Sequence, residues 1–179
     1  FLHSTSPMYV TDQPPFLNGA VEIQTDLMPH PLLRRLKKIE DHLGRDLVNG
    51  ERNGPRPIDL DILLYDDITG TEDKKDHSLL RSVASPIVVA DIDLVIPHPL
   101  MEERSFVLTP LREVVGDQYT HTKLNLSISS LLDQLQTTAP DEDDTVRILP
   151  LPRGRFLWFN ETIVMGILNL TPDSFSDGG

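Results

Sequence analysis

Two aspartates set two residues apart, Asp59 and Asp61, offer the most consequential chemistry in this chain. They stand in Asn53-Gly54-Pro55-Arg56-Pro57-Ile58-Asp59-Leu60-Asp61-Ile62-Leu63-Leu64-Tyr65, where acidic and aliphatic residues alternate. A period of two predicts a strand with one buried face, so Ile58, Leu60, Ile62 and Leu64 are expected to point into a core. The carboxylates would then project together from the opposite face, roughly 6.5–7 Å apart at the backbone. Adjacent carboxylates repel unless something positive sits between them. Hard cations of the Mg²⁺ type bind through one or two carboxylates together with substrate phosphates. The pair is therefore a candidate metal platform for phosphate chemistry. The solvated face of an amphipathic strand can carry the same alternation, although Asp is depleted in strands.

Three further groups could serve that chemistry. Arg45, Arg52 and Arg56 lie in one polar loop with Gly50 and Gly54. A planar, permanently charged guanidinium suits phosphate oxygens, though a loop arginine can equally be a solvated surface residue. Phe16-Leu17-Asn18 sets a ring beside an amide, able to stack on a flat heterocycle and read its edge; core packing of Phe16 is the competing reading. The segment Ile96 to Phe106 adds His98, Arg104 and a second ring, Phe106.

The elements that must position these groups follow from periodicity. Residues 1–15, with Pro7, Pro14 and Pro15, read as a strand exit and a loop. Val21 and Ile23 alternate within Asn18 to Thr25, predicting a strand. Leu32, Leu33, Leu36, Ile39 and Leu43 recur at helical spacing from Pro31 to Leu43, and Gly44 supplies the stop. Asp66 to Ser85 reads as a loop insertion, and Ile87 to Ile96 as strand material ending at Pro97-His98-Pro99. Short helices are expected over Phe106 to Val115, begun near Thr109-Pro110, and around Ile128, Leu131, Leu132 and Leu135. Thr137 to Asp144 has linker composition. Ile163 to Leu168 is a wholly apolar strand of the kind buried in a parallel sheet, followed by a polar loop from Asn169 to Gly179.

Composition narrows the partners. With 179 residues and 39% hydrophobic content the chain supports one ordinary core with an appendage. A formal net charge of −12 argues against a nucleic-acid partner. The cations gather instead from Arg34 to Arg56, as suits a small polyanion. The absence of cysteine excludes disulfides and thiolate metal sites. No apolar run approaches the roughly 20 residues that span a bilayer, so no membrane partner is expected.

Three ordered segments resemble one family: Asp12-Gln13-Pro14-Pro15-Phe16-Leu17-Asn18, Gly54-Pro55-Arg56-Pro57-Ile58-Asp59-Leu60-Asp61, and Pro97-His98-Pro99-Leu100-Met101-Glu102-Glu103-Arg104-Ser105-Phe106. They look like the motifs of 6-hydroxymethyl-7,8-dihydropterin pyrophosphokinase, over about residues 5–135. The resemblance implies an α+β, ferredoxin-like fold: an antiparallel sheet flanked by helices. It also implies that the family's first strand, first helix and flexible loop belong before Phe1, leaving the sheet here without its N-terminal strand. The implied reaction moves the pyrophosphoryl group of the co-substrate ATP to the pterin hydroxymethyl oxygen. Asp59 and Asp61 would hold two Mg²⁺ ions, and Arg45 and Arg56 would act with them in catalysis. Phe16 and Phe106 would sandwich the pterin while Asn18 reads its edge. Arg45, Arg56, His98 and Arg104 would contact ATP phosphates, with Glu40 near the nucleotide.

The tail, Met165 to Gly179, resembles the opening signature of dihydropteroate synthase, a TIM-barrel family. By that resemblance Asn169 would help bind Mg²⁺ and pterin pyrophosphate, and the loop through Thr171 and Asp177 would help form the p-aminobenzoate site. The expected organisation is a kinase-like domain over 1–136, a linker and lead-in over 137–160, and the first strand of a barrel within 161–179. The parent would then be a multifunctional folate enzyme in which the kinase is covalently fused to the synthase. Cytoplasmic and mitochondrial locations both stay open. Two other readings are a non-catalytic pterin- or nucleotide-binding fragment and a kinase half kept as a scaffold; the presence of both aspartates argues against the scaffold.

Overall fold

Helix α1 (Pro29–His42) forms where the leucine spacing requires it, with Pro29 and Pro31 in its first turn, where a missing N–H costs nothing. Its end is fixed by Gly44, whose φ of +91° favours glycine. The Gly44 amide bonds the Asp41 carbonyl and the Arg45 amide bonds the Glu40 carbonyl, both at 3.0 Å. This paired closure turns the chain back, so Arg45 returns alongside the helix that it has just left.

The computed structural model describes residues 2–7, 12–46, 54–67, 85–138 and 145–162. Among these, the fold is α+β, with antiparallel sheets and three helices. Strands β1 (Leu2–Thr5) and β2 (Phe16–Asn18) precede α1. Short pairs follow: β3 (Asp66–Asp67) with β4 (Ser85–Pro86), and β5 (Val89–Ala90) with β6 (Val95–Ile96). Helix α2 (Ser105–Val115) comes next, then the pair β7 (Thr120–His121) and β8 (Leu126–Ser127), helix α3 (Ile128–Thr138), and the hairpin β9 (Val146–Leu151) and β10 (Arg155–Trp158). The main sheet has the order β10-β9-β1-β2. Its register sets Thr5 opposite Phe16 and His3 opposite both Asn18 and Arg147.

Two apolar clusters hold these elements. Met101, Leu108, Leu111, Ile128, Leu131 and Leu132 join α2 to α3, and Leu63 and Leu64 pack against them. Leu32, Ile62, Leu94 and Ile96 join α1 to the β5–β6 pair. Each fully buried leucine or isoleucine contributes about 1.5–3 kcal/mol of transfer free energy. Residues 58–65 run between the clusters, so both fix their position. Ser127 accepts a hydrogen bond from the Ser130 amide at 3.1 Å and caps α3.

Several expectations change. The aspartate segment keeps its period-two exposure from Ile58 to Ile62, but it forms no β ladder. Its backbone partners are different: the Leu60 amide donates to a Glu40 side-chain oxygen, and the Leu63 and Tyr65 carbonyls accept single bonds from His98 and Ile87. The inward face also shifts, with Leu63 and Leu64 packing on the same cluster. Val21 and Ile23 are 85% and 56% exposed and lie in no strand; alternation without a face to bury leaves the chain irregular. The strand lies earlier, at β2. Helix α2 starts at Ser105, so Pro110 is inside it, where it cannot donate to the Phe106 carbonyl. The stretch expected as linker and lead-in carries the last turn of α3 and the β9–β10 hairpin, which joins the main sheet beside β1. The apolar segment Ile163 to Leu168, expected as a barrel strand, lies outside the described residues.

Candidate active site

A cavity of about 750 Å³ opens between β2, the aspartate segment and the start of α2. Phe16 and Asn18 enter it from β2, and Arg56, Asp59 and Asp61 from the segment after Gly54. His98 comes from the turn after β6, and Arg104 and Phe106 from the start of α2. Asn18 is held across the sheet, where its amide nitrogen donates to the Thr5 hydroxyl at 2.9 Å. Asp59, Asp61 and Leu63 share the cavity face, as residues two apart on an extended chain must.

Charge is concentrated at Asp59. Its Oδ1 pairs with the Arg45 guanidinium, and its Oδ2 lies 2.8 Å from Arg56 Nε. Lys37 Nζ is 4.0 Å from Oδ1. Burial works to lower the Arg45 pKa, but the hydrogen bond and charge of Asp59, with Glu40 and Asp61 behind it, together hold it above the ordinary arginine value. Arg45 is thus a fixed cation. Asp61 is the more open carboxylate, 47% exposed, with His98 Nε2 4.0 Å from its Oδ2.

Each ring in the cavity has an arginine at its face. The Arg56 guanidinium lies 5.4 Å from the Phe16 ring centre, and that of Arg104 lies 5.9 Å from Phe106. Both distances fall within cation–π range. The buried His98 Nδ1 has no hydrogen-bond partner among the described residues. Two rings, a side-chain amide, arginines and two carboxylates therefore surround one space. It can take a flat heterocycle at one end and a polyphosphate at the other.

The model of the 7,8-dihydro-6-hydroxymethylpterin-pyrophosphokinase family matches residues 1–116. The chain belongs to this family. Among relatives, a mitochondrial folate synthesis bifunctional protein of Pisum sativum is 40% identical over 188 residues, covering 99% of this chain and 32% of the relative. A mitochondrial protein of the same description from Arabidopsis thaliana is 42% identical over 190 residues, covering 99% and 30%. The pyrophosphokinase of Bacillus subtilis is 40% identical over 114 residues, covering 63% of this chain and 55% of its own length. The chain thus spans about a third of the length of the bifunctional relatives.

In this member of the pyrophosphokinase family, most of the residues singled out from the sequence meet in one cavity: Phe16, Asn18, Arg56, Asp59, Asp61, His98, Arg104 and Phe106. Arg45 reaches it through Asp59. Glu40, expected beside the nucleotide, does not line the cavity; it is fully buried beneath the aspartate segment. Arg52, Asn169, Thr171 and Asp177 lie outside the described residues. Sequence reasoning missed Lys37, whose spacing of three from Glu40 on a helix was the available signal. It also missed Thr5, which no local motif marks.

The donor set fits a shared cation. Among the described residues no group of three or more histidine, cysteine or acidic side chains could hold a metal ion alone. Two hard carboxylates on the cavity wall are the set that Mg²⁺ uses when phosphates and water complete its shell.

Proposed function

We propose that the protein carrying this chain transfers the pyrophosphoryl group of ATP to the hydroxymethyl oxygen of 6-hydroxymethyl-7,8-dihydropterin, releasing AMP. The observation that carries this reading is the single cavity in which Asp59 and Asp61 face Phe16, Asn18 and Phe106. Phe16 and Phe106 stack the pterin, and Asn18, with its amide pinned by Thr5, reads the ring edge. Arg56, His98 and Arg104 receive the phosphates. Asp59 and Asp61 would hold Mg²⁺, which when bound supplies charge neutralisation at the attacked phosphorus.

Catalysis on this account is positioning and charge. The rings fix the plane of the acceptor, so its oxygen approaches the phosphate in line. The arginines stabilise charge that builds on the phosphate oxygens in the transition state. Both oxygens of Asp59 are paired to arginines, so nucleotide phosphates would compete for the guanidiniums and would leave the carboxylate free to hold the cation.

The fold reading extends in the same way to a ferredoxin-like core followed by a dihydropteroate synthase segment from about residue 161. Support comes from the match of nearly the whole chain to relatives described as bifunctional in folate synthesis. Asn169, Thr171 and Asp177 would serve that second site. A mitochondrial location follows the plant relatives and a cytoplasmic one remains the alternative; among the described residues no helix is long and apolar enough to cross a membrane. The test of the kinase reading is AMP formation from ATP and the pterin by the intact protein, with Mg²⁺ present and withdrawn. Formation that stops without Mg²⁺ is expected, and binding of both substrates without AMP would leave only a binding module.

A further inference from the structure

Leu60, between the two aspartates, is gripped by helix α1 at both of its backbone polar groups. Its amide donates to Glu40 Oε1 at 2.5 Å, and its carbonyl lies 3.4 Å from Lys37 Nζ. Lys37 also donates to Glu40 Oε1 at 3.0 Å, as does Arg45 Nη1 at the same distance. Glu40 is fully buried, and its other oxygen, Oε2, has no hydrogen-bond partner among the described residues. A carboxylate placed this deep is retained only where several donors converge on it.

In an extended chain the N–H and C=O of one residue point to the same side, where a neighbouring strand would normally meet them. Among the described residues no neighbouring strand does so. The side chains of Glu40 and Lys37, three apart on α1, take its place. Pinning the Leu60 backbone fixes the direction in which its two neighbours project, because successive side chains on an extended chain alternate. We infer that Lys37 and Glu40 are positioning residues, a side-chain clamp on Leu60 that keeps Asp59 and Asp61 on the cavity wall together.

This rests on the proposed function, since it concerns the cation and nucleotide end of the same site. It assigns Lys37 a role and moves Glu40 from nucleotide contact to support. Groups that orient a metal-binding side chain change affinity or activity by roughly 10–100-fold when removed.

The test uses the intact protein with Glu40→Gln, Glu40→Ala and Lys37→Met. Two quantities are read: hydrogen exchange at the Leu60 amide, and calorimetric affinity for Mg²⁺ with a non-hydrolysable ATP analogue. Pterin affinity, measured without nucleotide, is the control. Glu40→Ala is expected to lose Leu60 protection and to weaken Mg²⁺–nucleotide binding about 10-fold or more, with pterin affinity kept. Glu40→Gln retains an acceptor for the amide and should restore most of the protection. Lys37→Met removes a third-exposed side chain that folding can spare, and should weaken Mg²⁺–nucleotide binding with Leu60 still protected. Unchanged affinity in Lys37→Met together with full Leu60 protection in Glu40→Ala would overturn the clamp; should Glu40→Ala not fold, unchanged affinity in Lys37→Met overturns it alone. Wild-type protein that binds no Mg²⁺–nucleotide would instead remove the proposed function itself.

Discussion

Arg56 meets Asp59 through Nε at 2.8 Å from Oδ2 while its guanidinium plane lies 5.4 Å from the Phe16 ring. One side chain therefore touches both ends of the cavity, the carboxylate end and the aromatic end. A lysine at this position keeps the charge but not the flat fork that allows both contacts at once. Arg56→Lys is expected to lower nucleotide affinity by about 5–30-fold, equivalent to ~1–2 kcal/mol. Titration with an ATP analogue checks this, and wild-type affinity would mean that charge alone is sufficient.

Phe106 tests the aromatic end separately. Truncation to alanine removes ring area worth about 1.5–3 kcal/mol and a stacking contribution of ~0.5–1.5 kcal/mol. Pterin affinity in Phe106→Ala should fall at least 10-fold with nucleotide affinity little changed. Equal losses for both ligands would place the ring in general folding rather than in pterin recognition.

Gly44, immediately before Arg45, forms the turn that ends α1. Its φ is +91° and a Cβ would meet nothing within 4 Å, so Gly44→Ala introduces backbone strain without a clash. The expected destabilisation is ~1–2 kcal/mol. If the turn also sets Arg45 against Asp59, nucleotide affinity falls with stability, whereas Leu108→Ala in the α2–α3 cluster lowers stability alone. Chemical denaturation and nucleotide titration of both variants separate the two.

Glu113 predicts a pH dependence. Burial acts to raise its pKa, but the Arg147 hydrogen bond and nearby His3 outweigh it and hold the group below the usual carboxylate value. His3 Nε2 is 3.4 Å away, near enough to matter electrostatically, though not aligned as a donor. A depressed folded pKa means the stabilisation is complete above the ordinary carboxylate value and is lost as pH falls through the folded one. The link joins α2 to β9, so wild type should melt higher than Glu113→Gln at neutral pH. The gap should narrow from about pH 5 downward. A gap that widens on acidification would contradict the sign.

The helices were legible in the sequence because leucine spacing is local, and the candidate site residues were legible through the three motifs that carry the family resemblance. Leucines at three- and four-residue intervals define α1, and three short motifs bring together eight cavity residues from distant segments. The aspartate segment was legible in its exposure pattern but not in its pairing. Alternation reports which side is wet, whereas a ladder requires a neighbour's backbone, and α1 supplies side chains there instead. Val21 and Ile23 misled for the complementary reason, since apolar alternation has no meaning without a surface to cover. The β9–β10 hairpin was not read because residues 137–160 were taken whole as linker and lead-in, on the linker composition of Thr137 to Asp144; its pairing with β1 is a contact across most of the chain. The burial of Glu40 could not be read at all, because a charged residue on a basic helix looks like surface.

On the proposed function, Asp61 supports pyrophosphoryl transfer. The most direct test is the rate of AMP formation by the intact protein carrying Asp61→Ala, with saturating ATP, pterin and Mg²⁺. Asp61 is half exposed and packs against neither apolar cluster, so the fold should survive the change. A fall of about 100-fold or more is expected, since a metal-holding group supplies several kcal/mol of charge stabilisation. AMP formation at the wild-type rate would contradict it.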